Sequence, residues 1–271
     1  MSGFPAEARN AFDAAAATYD QTFSPVTNPL VRMVRQRALA AAARHFPVGS
    51  ALLEVGCGTG QDTLELARRG HRIVACDPSP EMVATTRAKV TAAGYGAAVT
   101  LVCRGAAALA AEWPSLGLSV DGVFSNFAPL NCELSLDPVR QLLEQSLRPG
   151  GRFVGVVLPR IAPLEIAFSL ARRDLRTALR RFRRRPMADV AGVRFPIRYY
   201  GAGDFDRALG SSFRRVETRS LGLVLPPPEF GEALARYPRL LGVLAAAEDM
   251  LAGLPGLNRA GDHVILVYQR E

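Results

Sequence analysis

Between residues 51 and 160 the chain alternates short, unbroken apolar runs with segments whose apolar positions recur every three or four residues. The runs ALLEVGC (51–57), RIVACD (72–77), VTLVCRG (99–105), VDGVFSN (120–126) and RFVGVVLP (152–159) lack the alternation of a half-exposed strand. They predict strands buried on both faces. The intervening QDTLELARRG, PEMVATTRAKVTAAG and DPVRQLLEQSLRPGG have helical spacing and end at glycine, a helix stop. Strand, helix, strand repeated in this way predicts an α/β fold, a doubly wound and mostly parallel sheet. RRVETRSLGLVL (214–225) and DHVILVYQR (262–270) bring the predicted sheet to seven strands.

Residues 10–45 predict helix, with Asn28 as a cap, Pro29 at the first helical position, and Leu30, Val34, Ala38 and Ala41 on one face. The 271 residues thus read as one domain: a helical N-terminal lid (1–45), a core (46–160), an insertion after the fifth strand (161–200), and a C-terminal part (201–271) with a proline-led helical excursion (226–256). In 164–185 the apolar Leu164, Phe168, Ala171, Leu175, Ala178 and Phe182 fall on one helical face, and eight arginines (172, 173, 176, 180, 181, 183, 184, 185) stand against Asp174. This predicts a lid helix packed by its apolar face. Its charged side is either solvated or turned toward an anion: lipid head groups, nucleic acid or an acidic acceptor.

Composition, 49% apolar and 21% charged, argues against disorder or a fibrous chain. No apolar run approaches the roughly 18 residues of a membrane span, and the first residues lack a secretory pattern, so the expected address is the cytoplasm. Cys57, Cys76, Cys103 and Cys132 show no C-x-x-C spacing, so neither a metal site nor a disulfide framework is expected. The net charge is +8, and Lys89 is the one lysine among 33 basic residues.

The chemistry concentrates in Glu54-Val55-Gly56-Cys57-Gly58-Thr59-Gly60, where a buried strand runs through a glycine turn into a helix. Glycines admit positive φ and close ligand approach, and the new helix offers free N–H groups. Gln61 stands where a dinucleotide fingerprint needs glycine, and Asp77 lies 21 residues beyond Gly56, placed for ribose hydroxyls. The G-x-G-x-G spacing with its acidic neighbours resembles motif I of the class I S-adenosylmethionine-dependent methyltransferases, small-molecule branch. ACDPSPEMV (75–83), VDGVFSNFAPLNC (120–132) and LRPGGRFVGVV (147–157) resemble the same family's later segments.

The resemblance implies a Rossmann-like methyltransferase fold that binds S-adenosylmethionine and releases S-adenosylhomocysteine. Gly56, Gly58 and Gly60 would cradle the methionine part, with Glu54 beneath; Asp77 would hold the ribose, and Pro78 and Met82 would pack near the adenine. Gly105-Ala106 occupies the place where many relatives carry an adenine-binding aspartate, so contact there would fall to backbone groups. Asn126 would face the methionine group, and Tyr19 would close over the cofactor from the N-terminal helix.

Topology places His45 and His71 at the far end of the sheet, as surface residues. His263 opens the last, antiparallel strand on the crevice side beside Asp262, so it is the histidine placed to act as a base. Tyr199 and Tyr200 end VRFPIRYY (193–200), a candidate strand lining the acceptor pocket. Cys132 lacks the context of a nucleophilic cysteine and reads as a small buried residue. The expected reaction is methyl transfer to a small, hydrophobic, aromatic or lipid-like acceptor, with O-methylation favoured. An RNA-modifying methyltransferase, or the same fold put to a non-methylating use, stays open, as does the oligomeric state.

Overall fold

The computed structural model describes residues 3–271. A seven-stranded sheet is built from β1 (Ala51–Val55), β2 (Arg72–Cys76), β3 (Val99–Val102), β4 (Val120–Ser125), β5 (Leu147–Val157), β8 (Phe213–Leu221) and β9 (His263–Arg270). β6 (Met187–Val190) and β7 (Val193–Pro196) form a separate hairpin. The sheet order is β3-β2-β1-β4-β5-β9-β8, parallel as far as β5, with β9 antiparallel to both neighbours.

Side-chain alternation along buried strands feeds two cores. Leu53, Val55, Val123, Phe153 and Leu266 enter the layer that holds α5 (Ala106–Leu116), α6 (Asp137–Ser146) and α9 (Ala202–Leu209). Leu52, Phe124, Val154, Ile265 and Val267 enter the opposite layer, with α2 (Pro29–His45) and α3 (Gln61–Arg68). α1 (Ala6–Thr22) crosses the carboxyl ends of the strands, touching α4 (Pro80–Ala92) and β7. Asn28 caps α2 as expected, accepting from Leu30 N at 3.0 Å and Val31 N at 3.3 Å.

The insertion departs from the expected single helix. It forms α7 (Pro163–Ala171), a left-handed turn at Arg173 (φ 59°), α8 (Leu175–Ala178) and a 3₁₀ turn at Arg180–Phe182. The cause is ionic. Arg181, 4% exposed, meets Glu165 Oε2 at 2.5 Å and Asp262 Oδ1 at 2.8 Å, and donates to the Pro159 and Asp262 carbonyls. This clasp turns Arg181 inward and splits the predicted apolar face: Ala178 stays buried and Phe168 stacks on Phe230, while Leu175 and Phe182 are 62% and 55% exposed.

β8 stops short of the expected 225 because the Leu223, Val224 and Leu225 amides bind the buried Glu248 carboxylate of α11 (Pro238–Leu251) instead of a strand. A short α10 (Gly231–Ala235) precedes it. β5 ends before Leu158, whose amide goes to Asn131 Oδ1 at 2.9 Å. His71 is buried rather than on the surface, and burial lowers its pKa. His45 is half-buried, 2.7 Å from Glu217 and 2.6 Å from Arg152.

Candidate functional site

The sheet order reverses beside β1, where strand carboxyl ends of open α/β sheets leave a crevice. A cavity lies there, roofed by α1. Beyond β1 the Gly56 and Cys57 amides both donate to Cys76 O of β2, at 2.8 and 3.0 Å, which carries the loop over the crevice. Gly56 (φ 76°) is held by packing: a Cβ there would sit 2.3 Å from Pro129 Cβ. Gly58 (φ 53°) is different, because a Cβ there would meet nothing within 4 Å and would project into the cavity it lines. Gly60 (φ 78°) opens α3.

Asp77, 8% exposed, accepts from Gly58 N at 3.0 Å and Ser79 N at 2.9 Å, one bond on each oxygen, so a further lone pair on each is left for a ligand. Burial pushes its carboxyl up to about 6 against those two bonds. Pro78 and Met82 line the cavity beside it. Glu54 sits beneath the loop, accepting from Thr63 Oγ1 at 2.6 Å. Burial first, and then the charge of Asp62, raise its pKa to about 8.

Asn126 lines the cavity from the end of β4, donating to Asp62 Oδ2 at 2.9 Å. Asp62 also meets Arg35 Nη1 at 2.5 Å, and the Arg35 guanidinium lies 4.6 Å over the Phe127 ring. Arg35 faces the cavity, yet its buried Nε has no hydrogen-bond partner among the described residues. Tyr19 lines the cavity from α1, and burial lifts its hydroxyl to about 12. Its neighbour Asp20 takes Thr59 Oγ1 at 2.5 Å, Gln61 Nε2 at 2.6 Å and Lys89 Nζ at 2.6 Å. Asp13, two helical turns earlier, takes Ser79 Oγ at 2.5 Å.

Gly105 and Ala106 border a smaller recess, which shares Phe4, Gly56, Pro78 and Pro129 with the main cavity. Glu133, arriving from beyond β4, also lines it. It is 4% exposed, and its Oε2 is unpartnered among the described residues. Burial pushes it up to about 7 against a bond from the Ala106 amide. A carboxylate therefore stands beside Ala106 even though position 106 lacks one.

His263, Tyr199 and Tyr200 do not join these residues. His263 is 8% exposed, 3.0 Å from Asp262 Oδ2, and stands behind the cavity-lining Phe127 with ring centroids 6.2 Å apart. Tyr199 packs 5.2 Å from the Arg181 guanidinium, and Tyr200 donates to Glu133 O at 2.6 Å inside the core. Cys132 is a buried residue of the cavity wall. The sequence reading omitted Arg35, Asp13, Asp20 and Glu133. For Asp20 a signal existed in its adjacency to Tyr19; for Glu133, the missing acid at 106 posed the question without the answer.

Residues 52–151 match the family described as "Methyltransferase domain". The domain's relatives include a Methanothermobacter thermautotrophicus protein named "Probable cobalt-precorrin-6B C(15)-methyltransferase (decarboxylating)", 33% identical over 102 residues, 38% of this chain and 49% of that one. The magnesium-protoporphyrin O-methyltransferase of Rhodobacter capsulatus is 38% identical over 73 residues, 26% of this chain and 32% of that one. The chain thus spans about half the length of the first relative and a third of the second. The solved CcbJ methyltransferase of Streptomyces caelestis matches the methyltransferase fold almost end to end, covering 96% of this chain and 97% of its own, with a TM-score of 0.59 at 19% identity. The closing antiparallel β9, between β5 and β8, completes the Rossmann-like sheet over which that fold match extends.

Proposed function

We propose that the protein is an S-adenosylmethionine-dependent methyltransferase acting on a small molecule. The observation that carries this reading is a loop glycine, Gly58, facing open cavity beside polar groups with unused hydrogen-bonding capacity, Asp77 and Arg35 Nε. Asp77 would take the ribose hydroxyls, Gly56 to Gly60 would lie under the methionine chain, and Arg35 with Tyr19 would receive its carboxylate. Pro78, Met82 and Pro129 would flank the adenine, with Gly105 and Ala106 at its edge and Glu133 accepting its amino group.

When bound, the cofactor supplies a sulfonium methyl already activated toward nucleophiles. The protein's task is then alignment and exclusion of water. Asn126, fixed by Asp62, orients the reacting end, while α1 shuts the crevice through Asp13 and Asp20. The roof is aromatic, with Phe4, Phe12, Tyr19 and Phe127 facing the cavity, which favours a hydrophobic or aromatic acceptor. The two relatives are named for a C-methylation and an O-methylation. O-methylation is the reading we favour, with His263 receiving the hydroxyl proton once Phe127 swings aside. Tyr199 and Tyr200 would then shape the acceptor side through Arg181 and Glu133.

The test is calorimetric binding of S-adenosylhomocysteine, followed by transfer of labelled methyl from S-adenosylmethionine into a fractionated cell extract. Binding plus label in the small-molecule or organic fraction is expected. Label in RNA, or no cofactor binding, overturns the reading. His263→Ala with unchanged transfer at all pH values removes the base assignment alone.

A further inference from the structure

The clasp that buries Arg181 leaves an unusual surface behind. From 170 to 187 the apolar Leu170, Leu175, Leu179, Phe182 and Met187 are 50, 62, 56, 55 and 44% exposed. Interleaved with them, Arg172, Arg173, Arg176, Arg183, Arg184 and Arg185 are exposed and make no ion pair among the described residues. The one exposed acid in the stretch, Asp174, spends its carboxylate capping α8 through Thr177. Arginine buried and leucine exposed is the reverse of what water selects. The surface lies at the crevice end of the sheet, because Arg181 is anchored on Pro159 after β5 and on Asp262 before β9.

We infer that this surface docks the protein onto an anionic lipid bilayer, with Leu175, Leu179 and Phe182 entering the head-group region and the arginines meeting lipid phosphates. Charge complementarity selects this occupant. A second copy of the chain, joined symmetrically, would set arginine against arginine. A nucleic acid would satisfy the arginines but leave three leucines and Met187 against phosphate, with Phe182 as a lone stacking ring. An interfacial segment with basic and bulky apolar side chains is what a bilayer surface binds. No helix among the described residues is long and apolar enough to cross a membrane, so the contact is peripheral, and it would present the crevice to the bilayer.

The test is co-sedimentation of the full chain with vesicles of phosphatidylcholine alone or mixed with phosphatidylglycerol, at low and high salt. Binding to the mixed vesicles only, weakened by salt, is expected. Arg183→Gln/Arg184→Gln/Arg185→Gln should weaken it about fivefold per charge removed, and Leu175→Ser/Leu179→Ser/Phe182→Ser should weaken it at least tenfold. Circular dichroism and S-adenosylhomocysteine binding should be unchanged in both variants, so failure here is separable from failure of the proposed catalysis. Vesicle binding that ignores the apolar triple variant overturns the proposal. So does arginine-dependent retardation of RNA without vesicle binding, or concentration-dependent dimerisation abolished by the apolar variant.

Discussion

Asp20 Oδ1 accepts the Thr59 hydroxyl at 2.5 Å, joining the end of α1 to the glycine loop 39 residues away. Gln61 and Lys89 converge on the same carboxylate, so a single side chain ties the roof to two walls of the crevice. Although partial burial opposes it, the bonds from Lys89, Thr59 and Gln61 hold its pKa below the usual carboxylate value. A depressed folded-state pKa stabilises above the unfolded value and is lost as pH falls through the folded one. The latch should therefore be intact at neutral pH and release below about pH 4. Asp20→Asn should cost about 1 kcal/mol of stability, discounted for exposure, and raise the S-adenosylhomocysteine Kd severalfold by calorimetry. An unchanged Kd would mean that α1 closes by other contacts.

Asp77 trades stability for binding. Its pKa is raised by burial to about 6, so ionisation costs folded-state stability as pH rises from about 4 through 6. Asp77→Asn removes the ionisation cost at pH 8 but sets an NH2 group against one of the two backbone donors, so the Tm of the ligand-free protein should change little, while S-adenosylhomocysteine binding should weaken about tenfold or more, the scale of hydrogen bonds to a charged group. In the native protein, binding should tighten as pH rises through about 6. Titration calorimetry across that range checks both signs.

Glu133 should decide which purine enters the recess. The native protein is expected to prefer S-adenosylhomocysteine over its inosine analogue by about tenfold or more, because an amino donor satisfies the unpaired Oε2 and a 6-oxo group does not. Glu133→Gln, which offers a donor as well as an acceptor, should bring the two affinities close together. Equal discrimination in both proteins would assign the base contact elsewhere.

Two glycines two residues apart should fail differently. Gly58→Ala places a methyl in open cavity at a left-handed position, costing about 1 kcal/mol of stability but most of the cofactor affinity. Gly56→Ala drives its methyl onto Pro129 and should destabilise the fold by several kcal/mol. Thermal melts and calorimetry on the pair separate the roles.

Arg181→Ala would remove the cation that Glu165 and Asp262 share, leaving Glu165 to Arg180 and Asp262 to His263. A loss of about 3 kcal/mol is expected, or roughly 6–12 °C in Tm for a chain of this size. Against burial, Arg180 and then Arg181 hold Glu165 below its usual range, and His263 and then Arg181 do the same for Asp262. Their stabilisation is therefore present above the ordinary carboxylate range and fades on acidification. A variant that melts like the native protein would refute the clasp.

The sheet, its order of strands and helices, and the G-x-G-x-G turn were legible in the chain because each is written locally: continuous apolar runs, 3.6-residue periodicity, and glycines where a strand meets a helix. Asp77, Asn126 and Tyr19 could be placed near the cavity because the resemblance assigns them to ends of those elements. Arg35, Asp13 and Asp20 reach the same cavity from helices that no local pattern orients toward the sheet, so only the packing of α1 and α2 over the crevice reveals them. Glu133 sits beside Ala106 from a different strand's end, a substitution in space rather than in sequence. The arginine segment was misread for the same reason. Periodicity set its apolar face inward, but one buried guanidinium shared by Glu165 and Asp262, 97 residues apart, broke the helix and left Leu175, Leu179 and Phe182 on the outside.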